Sequence, residues 1–119
     1  MDDESRSPLG EQPVLGVESV GTAVVIRLAG ELDVYNADQV RAALTGAASA
    51  GPSRVVVDLG EVEFMDSTAL GVLIEARRSL PEGALRLASP QLETMRALKV
   101  SGLDRHLSLH DSVDDALSA

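Results

Sequence analysis

Residues Val55 to Ala76, VVVDLGEVEFMDSTALGVLIEA, contain the change of hydrophobic period that decides the fold. Val55-Val56-Val57-Asp58-Leu59 is a continuous, mostly β-branched apolar run, the pattern of a strand covered on both faces. From Ser67 the spacing becomes helical. Leu70, Leu73 and Ile74 form one stripe that Ala69, Val72 and Ala76 widen, and Arg77-Arg78 suit the partly negative C-terminal end. Between the two, Gly60 to Asp66 is expected to be a polar loop. A buried strand feeding a buried helix is the building unit of an α/β sheet.

The same reading extends in both directions. Upstream, Val14 to Ser19 and Thr22 to Ala29 are short apolar stretches, and the glycine in their link, Val20-Gly21, suggests a hairpin. Val24-Val25-Ile26-Arg27-Leu28 reads as another strand covered on both faces. Asn36, with Gln39 three residues on, has the spacing of an N-cap and its capping-box partner. Val40, Ala43, Leu44 and Ala47 follow at helical spacing and Gly51-Pro52 supplies the stop, so a helix is predicted from about Ala37 to Ala50.

Downstream, Pro81 and Gly83 close the central helix and Ala84 to Ala88 form a short strand. Ser89 and Pro90 then occupy the favoured N-cap and first-turn positions of a helix bearing Leu92, Met95 and Leu98, which Gly102 ends. His106 to His110 is a last alternating strand, and Ser112 to Leu117 a terminal helical turn or two. The order β-β-α-β-α-β-α-β-α predicts one α/β domain with a small mixed, mostly parallel sheet, its first strand antiparallel through the hairpin.

A length of 119 residues suits one domain, assigned to 13–119, behind a flexible acidic tail at 1–12 whose MDDESRSPLGEQ holds four acids, one base and no apolar period. The net charge of −9, with no basic stripe, argues against direct binding of nucleic acid. No cysteine is present, which excludes a disulfide framework, thiolate metal sites and a cysteine nucleophile. The N-terminus lacks the basic and apolar regions of a signal peptide, and no run approaches the ~20 apolar residues of a membrane span. The expected setting is the cytoplasm, without membrane attachment.

The chemistry centres on Asp66-Ser67-Thr68, which places a hydroxyl at the positive end of a helix dipole among unpaired backbone N–H groups. Residues of this kind ordinarily cap the helix. The alternative is that Ser67 accepts a phosphate, whose charge of about −1.5 to −2 the dipole and free donors would tolerate.

Three segments resemble the STAS-domain anti-sigma factor antagonists of bacteria: GELDVYNA from Gly30, VVVDLGEVEFMDSTALGVLIEARR from Val55, and LKVSGLDRHLSLHDSVDDAL ending at Leu117. The resemblance covers about Val14 to Leu117. It implies a STAS fold and a protein that, when unphosphorylated, binds a cognate anti-sigma factor and frees the sigma factor. The anti-sigma factor is itself the serine kinase, and a separate phosphoserine phosphatase reverses its action. Residue by residue, the resemblance makes Ser67 the phospho-acceptor, Thr68 a secondary candidate, and Asp33 and Asp66 acidic members of the partner-binding face. Ala69 stands where many members carry glycine; a first-turn helical residue needs no positive φ, so alanine is tolerated. The runner-up reading is a STAS scaffold or ligand-sensing module that is not phosphorylated.

Simpler roles stand beside these. Asp33 could only shape a turn. Phe64 and Met65 could form an apolar patch for a partner, although folding the chain's only Phe into the core is the expected reading. His106 and His110 would face the same side of the last strand, but with no third ligand nearby no metal site is expected. The chain has neither Gly-x-Ser-x-Gly nor Gly-x-x-x-x-Gly-Lys, so no enzyme activity and no cofactor are expected.

Overall fold

The computed structural model describes residues 12–119, and its elements follow one another in the predicted order. These are β1 (Val14–Val20), β2 (Ala23–Leu32), α1 (Ala37–Ser49), β3 (Arg54–Met65), α2 (Ser67–Ser79), β4 (Leu85–Ala88), α3 (Leu92–Ser101), β5 (Ser108–His110) and α4 (Val113–Ser118). The acidic tail expected at 1–12 lies, but for Gln12, outside the described residues.

The strands form one sheet in the order β1-β2-β3-β4-β5, with β1 antiparallel to β2 and the other pairs parallel. Gly21 turns the β1–β2 hairpin at φ +61°, a conformation the tight two-residue link requires and a side chain disfavours. The three parallel crossovers step across the sheet in the same direction and such crossovers share one hand, so α1, α2 and α3 gather on one face. There they meet the main core, which includes Ile26, Leu28, Val57, Leu73, Leu87 and Leu98, all essentially inaccessible to solvent. The alternate side chains Val25, Val56 and Ala88 point to the opposite face and pack with Ala116 of α4. Cover on both faces is why β2 and β3 read as unbroken apolar runs.

α4 is only six residues long and is fixed at both ends. Ser112 Oγ accepts from Asp115 N at 3.0 Å. Arg54 and Arg86 each donate to the main-chain oxygen of Ala119 at 2.6 Å, placing two cations at the helix's negative end. On the other face, Arg41 of α1 pairs with Asp38 and donates to Glu75 of α2 at 2.9 Å. The hydrogen bond from Arg41 holds the Glu75 carboxyl below its usual value, though exposure keeps such a tie weak.

Four local expectations are corrected. Gly60 to Asp66 is not a loop, because β3 continues to Met65 alongside an equally extended β2. Two register shifts in that pairing turn Leu59, Val62 and Met65 inward at intervals of three, which breaks the period of two expected of a strand. Asn36 forms no capping box, since its Oδ1 accepts from Asp33 N at 2.9 Å and its Nδ2 donates to Glu31 O at 2.8 Å. Ser89 and Pro90 do not open α3. Ser89, at φ +58°, donates its N–H to His110 O and its hydroxyl to Asp111 O, and the helix begins after Gln91. His106 and His110 do not share a strand: His106 ends a 3₁₀ turn over Leu103–Arg105, and β5 starts only at Ser108.

Candidate functional site

Parallel pairing brings the two acidic loops together. β2 and β3 stay aligned to their last residues, Leu32 opposite Met65, so Asp33 and Asp66 leave the sheet from adjacent positions at its C-terminal edge. That edge is where open α/β sheets bind their ligands. Asp66 N donates to Leu32 O at 3.0 Å and splices the two segments just beyond the sheet.

The N-cap of α2 is Asp66. Its backbone is extended, at φ −92° and ψ −177°, and its Oδ1 accepts from Ala69 N at 3.0 Å. Asp66→Ala is therefore expected to cost about 1 kcal/mol, with Asp66→Asn recovering most of it, as read from urea unfolding. A loss too small to measure would mean that the cap is not formed in solution.

Because Asp66 supplies the cap, Ser67 is not needed for it. Ser67 is the first helical residue of α2 and is exposed, and among the described residues its hydroxyl has no hydrogen-bond partner. The neighbouring Thr68 is half-buried. Asp33 shapes a turn, its Oδ1 accepting from Tyr35 N at 3.0 Å, and also stands beside the Asp66 segment, so the two readings of this residue are compatible. The structure thus brings Asp33, Asp66, Ser67 and Thr68 to one end of the sheet.

The expectation that Phe64 folds into the core is overturned: it is 50% exposed, whereas Met65 is buried. Successive strand residues face opposite ways, and the inward place is taken by Met65. Val34 and Tyr35, in the loop after Asp33, are 61% and 68% exposed. Neither was singled out from the sequence, although two large apolar residues before a helix whose buried stripe begins at Ala37 are a usable sign of an uncovered surface.

Among the described residues no group of three or more His, Asp or Glu is placed to hold a metal ion. No described helix is long and apolar enough to cross a membrane.

The STAS domain family model matches residues 15–116. Over 102 residues the chain is 34% identical to the anti-sigma-F factor antagonist RsfA of Mycobacterium tuberculosis, covering 82% of this chain and 80% of that protein. A shorter match, 32% identical over 69 residues, to the TM1081 homolog of Thermotoga neapolitana covers 56% of this chain and 61% of the relative, so there the alignment spans less than two thirds of the relative's length. Among solved structures the fold is similar to the anti-sigma factor antagonist SpoIIAA in its unphosphorylated form, with a TM-score of 0.73 and 28% identity over 87% of this chain and 92% of the other. It is also similar to Bacillus SpoIIAA in the phosphorylated form, with a TM-score of 0.65 and 26% identity over 87% and 96% of the two chains.

Proposed function

The chain belongs to the STAS domain family, and on that premise we propose that it is an anti-sigma factor antagonist switched by phosphorylation of Ser67. Unphosphorylated, it binds a cognate anti-sigma factor and so releases a sigma factor in the bacterial cytoplasm. The anti-sigma factor acts as an ATP-dependent serine kinase on Ser67, and a phosphoserine phosphatase restores the binding form. The role requires no catalysis by this chain.

The observation that carries this reading is the exposed hydroxyl of Ser67, without a partner among the described residues, at the start of a helix that Asp66 already caps. A phosphate there meets the positive end of the α2 dipole and free N–H donors, so the fold accommodates it. The relatives point the same way: RsfA carries the antagonist name, and SpoIIAA is described in both phosphorylation states. Thr68 is a poorer acceptor because it is half-buried.

The direct test incubates the protein with candidate anti-sigma kinases and ATP and maps phosphate by mass spectrometry. Phosphate on Ser67 is expected. A kinase that binds the protein yet leaves Ser67 unmodified rejects the switch.

The partner-binding face extends over Val34, Tyr35 and Phe64, large apolar side chains exposed near Asp33 and Asp66. Aromatic anchors at the centre of an interface cost about 2 kcal/mol when truncated, roughly thirtyfold in affinity. Tyr35→Ala and Phe64→Ala are each expected to weaken anti-sigma factor binding by that order while leaving thermal unfolding nearly unchanged. Calorimetric titration checks this, and undiminished affinity in the double variant would place the interface elsewhere.

A further inference from the structure

At the far end of α2 from Ser67, about 15 Å along a helix rising 1.5 Å per residue, Arg77 and Arg105 line a cavity of about 280 Å³ together with His106 and Glu82. We propose that this cavity is a second, independent site that binds a small phosphate-bearing ligand.

The first argument is charge. Elsewhere on the described chain the arginines other than the exposed Arg78 are engaged: Arg27, Arg41 and Arg96 in ion pairs, Arg54 and Arg86 on the main-chain oxygen of Ala119. Arg77 and Arg105 have no acceptor among the described residues, and they come from separate elements to one cavity. The helix dipole accounts for Arg77 at the end of α2, but not for a second guanidinium arriving from the 3₁₀ turn. In a chain of net charge −9 the general field repels anions, so capture of one needs such a local concentration of positive charge.

The second argument is geometry. Guanidinium forks match phosphate oxygens in pairs, and two of them with an adjacent imidazole leave net positive charge after the single Glu82 carboxylate is counted. Ser108 Oγ is occupied by His110 Nε2 at 2.8 Å, and the N–H groups of Arg105, His106 and Leu107 are bonded within their own turn, so an anion here relies on the guanidinium and imidazole donors. Gly83, at φ +81° in the turn after Pro81, keeps the wall beside Glu82 free of a side chain. The volume falls just below the ~300–1,000 Å³ of ordinary small-molecule pockets, which suits a phosphate group with little attached to it.

The test is a titration of the full chain followed by amide NMR, with inorganic phosphate in one arm, adenosine monophosphate in a second and sodium chloride at matched ionic strength in a third. Saturable shifts are expected at residues 77, 82–83 and 105–108 with phosphate and not with chloride. Arg77→Ala and Arg105→Ala should each weaken binding at least about tenfold, whereas Arg78→Ala, next in sequence but outside the lining, should not. Arg77→Lys keeps the charge at the end of α2 but loses the planar fork, and should fall between. Tighter binding of the nucleotide identifies an organic phosphate as the ligand, and equal binding identifies the bare ion. Equal shifts with chloride, shifts centred on Ser67 to Leu70, or no saturation by about 10 mM would overturn the proposal. None of these results bears on the proposed switch at Ser67.

Discussion

Phosphate on Ser67 is expected to weaken anti-sigma factor binding on the order of a thousandfold while leaving thermal unfolding nearly unchanged. The interface proposed around Ser67 would include Asp33 and Asp66, which follow the paired ends of β2 and β3. Adding about −1.5 to −2 charges means that docking must desolvate like charge at close range. A cost of ~4 kcal/mol corresponds to the thousandfold loss. Stability behaves differently, because a negative group in the first turn of α2 is favourably placed against the helix dipole. Ser67→Asp carries less charge and should lose roughly ten- to a hundredfold in affinity. Ser67→Ala should keep full affinity and lose its response to ATP. Titration of the phosphorylated and unmodified proteins against one partner checks the first claim, and equal affinities would contradict the charge argument.

The largest stability effect is expected at Leu73. Its side chain is inaccessible to solvent in the main core, where α2 lies against the sheet. Leu73→Ala removes buried methyl groups and leaves a cavity that the neighbouring strands cannot collapse into, a cost of about 3–4 kcal/mol. For a domain whose whole stability is ~5–15 kcal/mol, that is a large share. Urea unfolding should show a lower midpoint with an unchanged slope. Ile74→Ala, at a half-buried position one residue on, should cost clearly less. A loss below about 1 kcal/mol at Leu73 would mean that the α2–sheet packing is looser than described.

The parts of the fold open to sequence reading were those governed by one local rule. Runs such as Val55 to Val57 announce a strand covered on both faces, and the stripe through Leu70 and Leu73 announces a helix on that sheet. Asp66-Ser67-Thr68 could be placed at the helix start on capping chemistry alone, though not which residue caps. The misreadings occur where another partner outweighs the capping rule. Asn36 and Ser89 have the side chains of good caps, but Asn36 is spent on Asp33 and Glu31 within its own loop and Ser89 on Asp111 beyond β5. The end of β3 was hidden by its register shifts, which give Leu59, Val62 and Met65 a spacing no single strand template contains. Phe64 was misplaced because hydrophobicity says only what a residue prefers, and the inward place at the end of β3 goes to Met65.

The bond from Asp66 N to Leu32 O has a consequence for timing. It locks the ends of two neighbouring parallel strands, and with them the acids at both loops, into one body before any partner arrives. If Ser67 is the proposed switch, its state would be stored in covalent composition rather than in shape. Its response time would then be set by the enzymes that write and erase the mark, and its memory would last as long as the phosphoester does.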